Sequence, residues 1–318
     1  MLKYMHNMKE REDLEQALAA ENFARIPASF YKYGKIESPQ DFRNELYKFW
    51  YPMRVFGRVY VSNEGINAQV SVPEFLWNEF VETVHYFPLL KKIMINRSTD
   101  QGRAAFLKLD IKLRQKIVAD GIEGNLFDEV EPGEHLSPQD FHEKLASKDV
   151  LLIDTRNDYE CETGHFEGAY CPQSKTFSEV LPEIKTKFAQ EKDKTILMYC
   201  TGGIRCEKAS AYMKKEGFNK VYQLKGGIIN YLNTIKREGK DSKFKGSLFV
   251  FDGRMAEPTV DQVLSRCHQC GAAYDVHSDC ANVKCHTLMI QCPQCAEKFS
   301  GCCGETCQKT IIGEQAHV

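Results

Sequence analysis

Thr195-Ile196-Leu197-Met198-Tyr199-Cys200-Thr201-Gly202-Gly203-Ile204-Arg205 runs from an apolar, strand-like stretch through a glycine pair into a helical pattern that reaches Lys215. A strand, a short loop and a helix start bring successive backbone N–H groups and the helix dipole towards Cys200, and both favour a thiolate. Gly202 and Gly203 can take the positive φ angles that such a loop needs. Thr201 and Ile204 complete the loop, and Arg205 adds a fixed charge and a planar donor fork. The bland alternative is a buried cysteine at a strand end before an ordinary turn.

The surroundings of this stretch alternate strands with helices. Ser137-Pro138-Gln139-Asp140 signals a helix start, Val150 to Ile153 a strand, and Lys220 to Leu224 another strand before a last helix. That order predicts an α/β domain over residues 126–240, with a doubly wound parallel sheet. Ligands of such sheets sit beyond the carboxyl ends of the strands, where Cys200 falls.

Residues 1–125 read differently. Ala28 to Tyr33, Val55 to Val61, Ile66 to Val72 and Lys108 to Arg114 have strand patterns; Ser38-Pro39 and Pro73 open two helices. The order β-α-β-β-α-β predicts an α+β ferredoxin-like domain, a fold that by itself assigns no function. Between residues 91 and 116, Lys91, Lys92, Arg97, Arg103, Lys108, Lys112, Arg114 and Lys116 face only Asp100 and Asp110. This local excess marks Lys108, Lys112, Arg114 and Lys116 as RNA-binding candidates. A solvated strand edge is the competing reading.

Residues 241–318 form a Cys-rich module with nine cysteines: Cys267, Cys270, Cys280, Cys285, Cys292, Cys295, Cys302, Cys303 and Cys307. Cys267-His268-Gln269-Cys270 and Cys292-Pro293-Gln294-Cys295 are two C-x-x-C knuckles at nearly zinc-ribbon spacing. Two structural zinc ions would use eight thiolates and leave one spare. Spacing does not divide the ligands between them. His268, His277 and His286 are expected to be solvent-exposed rather than ligands.

The whole chain sets bounds. It has 318 residues, 42% apolar and 27% charged, with a formal net charge of −2, so no global charge drives it to nucleic acid or membrane. No run of about 18 apolar residues suggests a membrane span, and Met1-Leu2-Lys3-Tyr4-Met5-His6 lacks a signal-peptide core. The 13 cysteines then read as catalytic or metal-binding rather than disulfide-bonded, with the cytoplasm as the expected location.

The Cys200 loop, with Leu151-Leu152-Ile153-Asp154-Thr155-Arg156, Tyr159-Glu160, Gly164-His165-Phe166-Glu167-Gly168-Ala169 and Leu224-Lys225-Gly226-Gly227, resembles the rhodanese superfamily. The resemblance implies a cysteine that carries sulfur as a persulfide. The six-residue loop matches the sulfur-handling branch rather than the related phosphatases, whose loop is one residue longer. Phe56-Gly57-Arg58-Val59-Tyr60, Glu64-Gly65-Ile66-Asn67-Ala68-Gln69, Lys116-Ile117-Val118-Ala119-Asp120-Gly121, Cys206-Glu207-Lys208-Ala209-Ser210 and the cysteine module further resemble the TrhO family of tRNA uridine hydroxylases. That likeness implies oxygen-dependent conversion of the tRNA wobble uridine to 5-hydroxyuridine, with molecular oxygen as co-substrate and tRNA as partner.

The residues themselves show no flavin or haem signal and no two-histidine, one-carboxylate iron site. Sulfur transfer from a Cys200 persulfide is the alternative activity. Arg205 either orients the loop and binds an anion or forms a structural salt bridge. Asp154 and Arg156 are read as braces, His165 as a structural histidine near the pocket, and Cys206 as a resolving thiol or a small packing group.

Overall fold

Ala28, Phe30, Val59, Val61, Ile66, Ala68 and Val70 alternate with polar residues along three strands, and this period of two builds the first sheet. The computed structural model describes residues 10–98, 105–147, 149–250, 252, 254–259 and 262–315. Helix α1 (Arg11–Ala19) precedes β1 (Arg25–Tyr33), α2 (Pro39–Trp50), β2 (Phe56–Ser62), β3 (Gly65–Pro73), α3 (Trp77–Tyr86), β4 (Asn96–Arg97) and β5 (Leu109–Leu113). Ser38 accepts a hydrogen bond from the Asp41 N–H, and Pro39 opens α2. Leu46 and Trp50 of α2 and Phe80 and Val84 of α3 share a core with the apolar face of the sheet.

The strand order is β4-β1-β3-β2-β5. The first four strands have the ferredoxin-like arrangement, but the Lys108 to Arg114 segment is not its closing strand. Asn96–Arg97 takes that place beside β1, and β5 is an added edge strand parallel to β2. Two residues are too few to show a period, so the sequence pattern passes to the longer strand. Arg103 and Asp100 lie outside the described residues, as does the Met1 to His6 segment.

The central part contains β6 (Glu134–Leu136), α4 (Pro138–Lys144), β7 (Val150–Asp154), α5 (Asp158–Thr163), β8 (Gly164–Phe166), α6 (Phe177–Lys187), β9 (Thr195–Tyr199), α7 (Ile204–Lys215), β10 (Lys220–Leu224) and α8 (Gly227–Arg237). Strands β6-β10-β9-β7 form a parallel sheet. Ile196 and Met198 of β9 face α6 and α7, whereas Leu197 and Tyr199 face α4 and α8. Both faces are therefore covered, as a doubly wound sheet requires.

The remainder comprises β11 (Phe244–Phe249), β12 (Ala256–Pro258), β13 (His277–Asp279), β14 (Leu288–Ile290), α9 (Pro293–Lys298) and α10 (Glu305–Gln315). Strand β11 pairs antiparallel with β8, and its Phe244 and Leu248, with Val250 just after it, enter the core around Phe166 and Tyr231. Physically, residues 244–250 thus belong to the central core, although sequence places them with the Cys-rich module. Among the described residues, no helix is long and apolar enough to cross a membrane.

Candidate active site between the first two domains

Cys200 directly follows β9, and its side chain is fully buried. Gly203 has φ +102° as the residue capping α7, so the loop folds back and the Gly203 N–H donates to Cys200 Sγ at 3.1 Å. The Ile228 and Ile229 N–H groups hold the carbonyls of Cys200 and Thr201 from the next helix. Gly227 permits that approach: a Cβ there would lie 2.6 Å from both of those carbonyl oxygens.

Burial alone would push the Cys200 thiol up. It is outweighed by the Cys206 thiol, the Arg205 charge and the Arg205 and Cys206 N–H groups, which bring Cys200 down to about 6. The Cys206 thiol moves the opposite way, through burial and then through the neighbouring sulfur. Ionisation of the pair therefore favours the thiolate on Cys200 and the thiol on Cys206. Cys206 also contacts Thr155 Oγ1 at 3.4 Å.

The Arg205 guanidinium is engaged by helix α5. It forms a two-pronged, buried ion pair with Glu160 on α5, Nη2 lying 2.8 Å from Oε2, and it also reaches Thr201 Oγ1. Asp154 and Arg156 make a second buried pair at 2.7 Å, and Arg156 also donates to the Gly164 carbonyl. His165 is half-buried with Nδ1 2.9 Å from the Cys161 carbonyl oxygen. Cys161 and Cys171 are joined in a disulfide, contrary to the expectation of no disulfides. Helix α5 and the chain after β8 bring their Cα atoms to 6.1 Å, a pairing that a ten-residue separation does not reveal.

The roof over this loop comes from the first domain. The polar face of β1, β2 and β3 encloses with Cys200, Thr201 and Gly202 a cavity of about 350 Å³. Tyr31 Oη would lie 2.9 Å from a Cβ at Gly203, and it donates to Glu207 Oε1 on α7. Lys208, the next residue, is wholly buried and pairs with Glu64 of the β2–β3 turn and with Asp120. The roof is thus bolted to the helix that starts at the cysteine loop.

Residues 25–117 match the UPF0176 acylphosphatase-like domain, 137–234 the rhodanese-like domain and 245–308 the rhodanase C-terminal domain. The chain is 45% identical over 307 residues to the tRNA uridine(34) hydroxylase of Leptospira interrogans, covering 96% of this chain and 84% of that one. It is 45% identical to the Enterobacter sp. (strain 638) protein of that name, over 98% of this chain and 90% of the other. For the Salmonella typhimurium protein the identity is 46%, over 95% and 87%. The chain belongs to the tRNA uridine(34) hydroxylase family.

In this tRNA uridine(34) hydroxylase family chain the basic candidates divide. Lys112 on β5 is exposed, as are Lys108 and Arg114 at its two ends, while Leu109 and Ile111 enter the core. Lys112 pairs with Asp110, and Arg114 lies over the Tyr60 ring. Lys116 is committed inward, donating to Asp120 at 2.7 Å and to the Ile122 carbonyl.

Eight of the nine C-terminal cysteines form two four-sulfur groups, Cys267, Cys270, Cys292 and Cys295, and Cys280, Cys285, Cys303 and Cys307. Cys270 and Cys292, Cys285 and Cys303, and Cys303 and Cys307 have sulfurs 3.7 Å apart. A tetrahedral ion with bonds of about 2.3 Å to sulfur separates its ligands by about 3.8 Å, so both groups fit a metal of that kind. Cys302 is the spare, buried with Sγ directed at the Ser300 carbonyl. His268 and His286 are exposed, but His277 is buried between Tyr159 and Phe249, and burial lowers it to about 4.

Sequence reasoning missed Glu160, Glu207, Lys208 and Glu64 as site residues, along with the polar roof. Their partners lie in other parts of the chain, and no local period records such a pairing.

Proposed function

We propose that this chain hydroxylates uridine 34 of tRNA at C5, giving 5-hydroxyuridine, with molecular oxygen as co-substrate. The carrying observation is a cysteine lowered to about 6, at the floor of a cavity roofed by the polar face of a neighbouring sheet. The names of the curated relatives supply the substrate. A thiolate at that position adds to C6 of uracil and makes C5 electron-rich. C5 takes up O₂ and a proton as a hydroperoxide. The Cys206 thiol removes the outer oxygen as a sulfenic acid and leaves C5–OH. Loss of the C5 proton expels Cys200, which condenses with the Cys206 sulfenic acid, releasing water and leaving a disulfide. One oxygen atom thereby ends on the base and one in water, with the two thiols as the reductant.

Residues 1–125 in this reading present the tRNA face, residues 126–240 the chemistry, and residues 241–318 two structural zinc ions held by the eight cysteines. A tRNA substrate makes the cytoplasm its place of work. The test is mass spectrometry of tRNA nucleosides from a deletion strain complemented with the wild type or with Cys200→Ser. Restoration of 5-hydroxyuridine by the wild type alone, with tRNA binding retained by the variant, is expected. Restoration by Cys200→Ser removes the thiol from the mechanism. Loss of a thiolated base instead establishes the sulfurtransferase alternative.

A further inference from the structure

Sheet register aligns four polar residues across the roof of the cavity. Asn96 pairs with Ser29, Ser29 with Gln69, and Gln69 with Arg58. All four line the cavity with Cys200. A Cβ at Gly202 would lie 3.9 Å from both Asn96 Nδ2 and Ser29 Oγ, so the row crosses directly over the cysteine loop. The thiol chemistry uses none of these side chains.

Gln69 stands out because its orientation is fixed. Its Nε2 donates to Asn67 Oδ1 at 2.6 Å, and Asn67 Nδ2 donates in turn to the Ile117 carbonyl at 3.3 Å. A carbonyl can only accept, so Asn67 must turn its oxygen towards Gln69, and Gln69 must turn its nitrogen towards Asn67. That leaves Gln69 Oε1 and one N–H without partners among the described residues. The two together form a carboxamide edge with the acceptor and the donor in set places. Uracil offers the complement, an N3–H donor beside a carbonyl acceptor. Cytosine has an acceptor at N3 and an amino donor beside it, and would need the carboxamide reversed. The Asn67 relay forbids that reversal, because it would set two carbonyl oxygens against each other.

We propose that Gln69, oriented by Asn67, reads the N3–H and adjacent carbonyl of the target base and selects uridine over cytidine. The assignment rests on the hydroxylase reading and names the specificity element of the same site. It can be tested by fluorescence anisotropy with the full chain and anticodon stem-loops carrying uridine, 3-methyluridine or cytidine at position 34. A bidentate base contact contributes about 1–3 kcal/mol, so wild type is expected to prefer uridine by about tenfold or more over both other bases. Gln69→Ala, and Gln69→Met as a variant of nearly equal volume with no carboxamide, should bring the three affinities within about twofold by weakening uridine alone. A purely structural role would lower all three together. Equal binding of the three stem-loops by wild type, or an unchanged ratio in both variants, overturns the proposal. The complemented-strain measurement is separate: wild type that restores no 5-hydroxyuridine sinks the hydroxylase reading, whereas the affinity ratios judge Gln69 by themselves.

Discussion

Lys208 on α7 places its ammonium 2.8 Å from Glu64 Oε2 in the turn between β2 and β3, and no part of the lysine side chain reaches solvent. Asp120 approaches the same nitrogen at 3.3 Å. Two carboxylates from one side of the interface thus converge on a cation from the other, four residues along the helix from Ile204. Removing one partner of a buried pair costs about 3–5 kcal/mol, because the remaining charges stay desolvated. Lys208→Met should therefore lower the urea midpoint markedly and loosen the roof over Cys200. Glu64→Gln combined with Lys208→Met should recover part of the loss. An unchanged midpoint in Lys208→Met would show that the pair does not hold the domains together.

The Cys200 and Cys206 thiols titrate as a pair, with the lower value on Cys200 at about 6. Alkylation of Cys200 by iodoacetamide should rise with pH around that value, well below the usual thiol value of about 8.5. Cys206→Ala removes the hydrogen bond to the thiolate and should move the inflection upwards. Stability carries the same sign. A thiol lowered in the folded state contributes stability that is present above about 8.5 and lost as pH falls towards 6. The advantage of wild type over Cys200→Ser should shrink through that window in denaturant titrations. An inflection near 8.5 in the wild type would leave the nucleophile without its activation.

Glu160 neutralises part of the charge that Arg205 presents to the sulfur. Glu160→Gln keeps the volume and one acceptor but removes the first of the carboxylates that oppose Arg205, so more of its field reaches Cys200. The alkylation inflection should then fall below its wild-type position, while modification in cells drops about tenfold or more as the loop loses its anchor. A rise in the inflection would mean that Glu160 acts through loop geometry alone.

How legible this site was in the sequence follows from distance along the chain. Strand β9, the Cys200 loop and α7 can be read to the residue, because an apolar run, two glycines and a helical pattern are contiguous. The closing strand β4 could not be, since two residues carry no period. The C-x-x-C knuckles pointed to metal, and yet Cys280, Cys285, Cys303 and Cys307 share no repeat, so only folding assigns them to one group. Glu160 and Arg205 are 45 positions apart, and Lys208 and Glu64 are 144. Charge pairing at such separations leaves no local signature. Gln69 and Asn67 alternate with Ile66, Ala68 and Val70 along β3, and only the second domain turns their face into a roof.

The two four-cysteine groups lead to a metal count that separates ligand from spare. Purified protein should contain about two zinc ions per chain by elemental analysis. Cys285→Ser should reduce this to about one, and Cys302→Ser should leave it at two, because Cys302 belongs to neither group. Structural zinc sites supply folding energy directly, so chelation should also broaden or abolish the cooperative unfolding of this region. Retention of both metals in Cys285→Ser would show that the second group is not a metal site.

Strand β5 offers the last discrimination, between surface electrostatics and internal bracing. Lys108, Lys112 and Arg114 share an exposed face, and the register sets Asp110 beside Arg58 and Lys112 beside Tyr60, so this face continues the cavity roof outwards. A polyanion approaching Cys200 across the roof meets these cations first. Removing one cation that neutralises a phosphate reduces the salt slope of binding by about 0.7–0.9. The triple variant Lys108→Glu, Lys112→Glu, Arg114→Glu should therefore weaken tRNA binding and flatten its salt dependence by about two to three units, with thermal stability little changed. Lys116→Glu should do the reverse, because its ammonium holds Asp120 and the Ile122 carbonyl: stability falls and the salt slope stays. A triple variant that binds tRNA with the wild-type slope would return β5 to the role of a solvated edge and move the RNA path to another face.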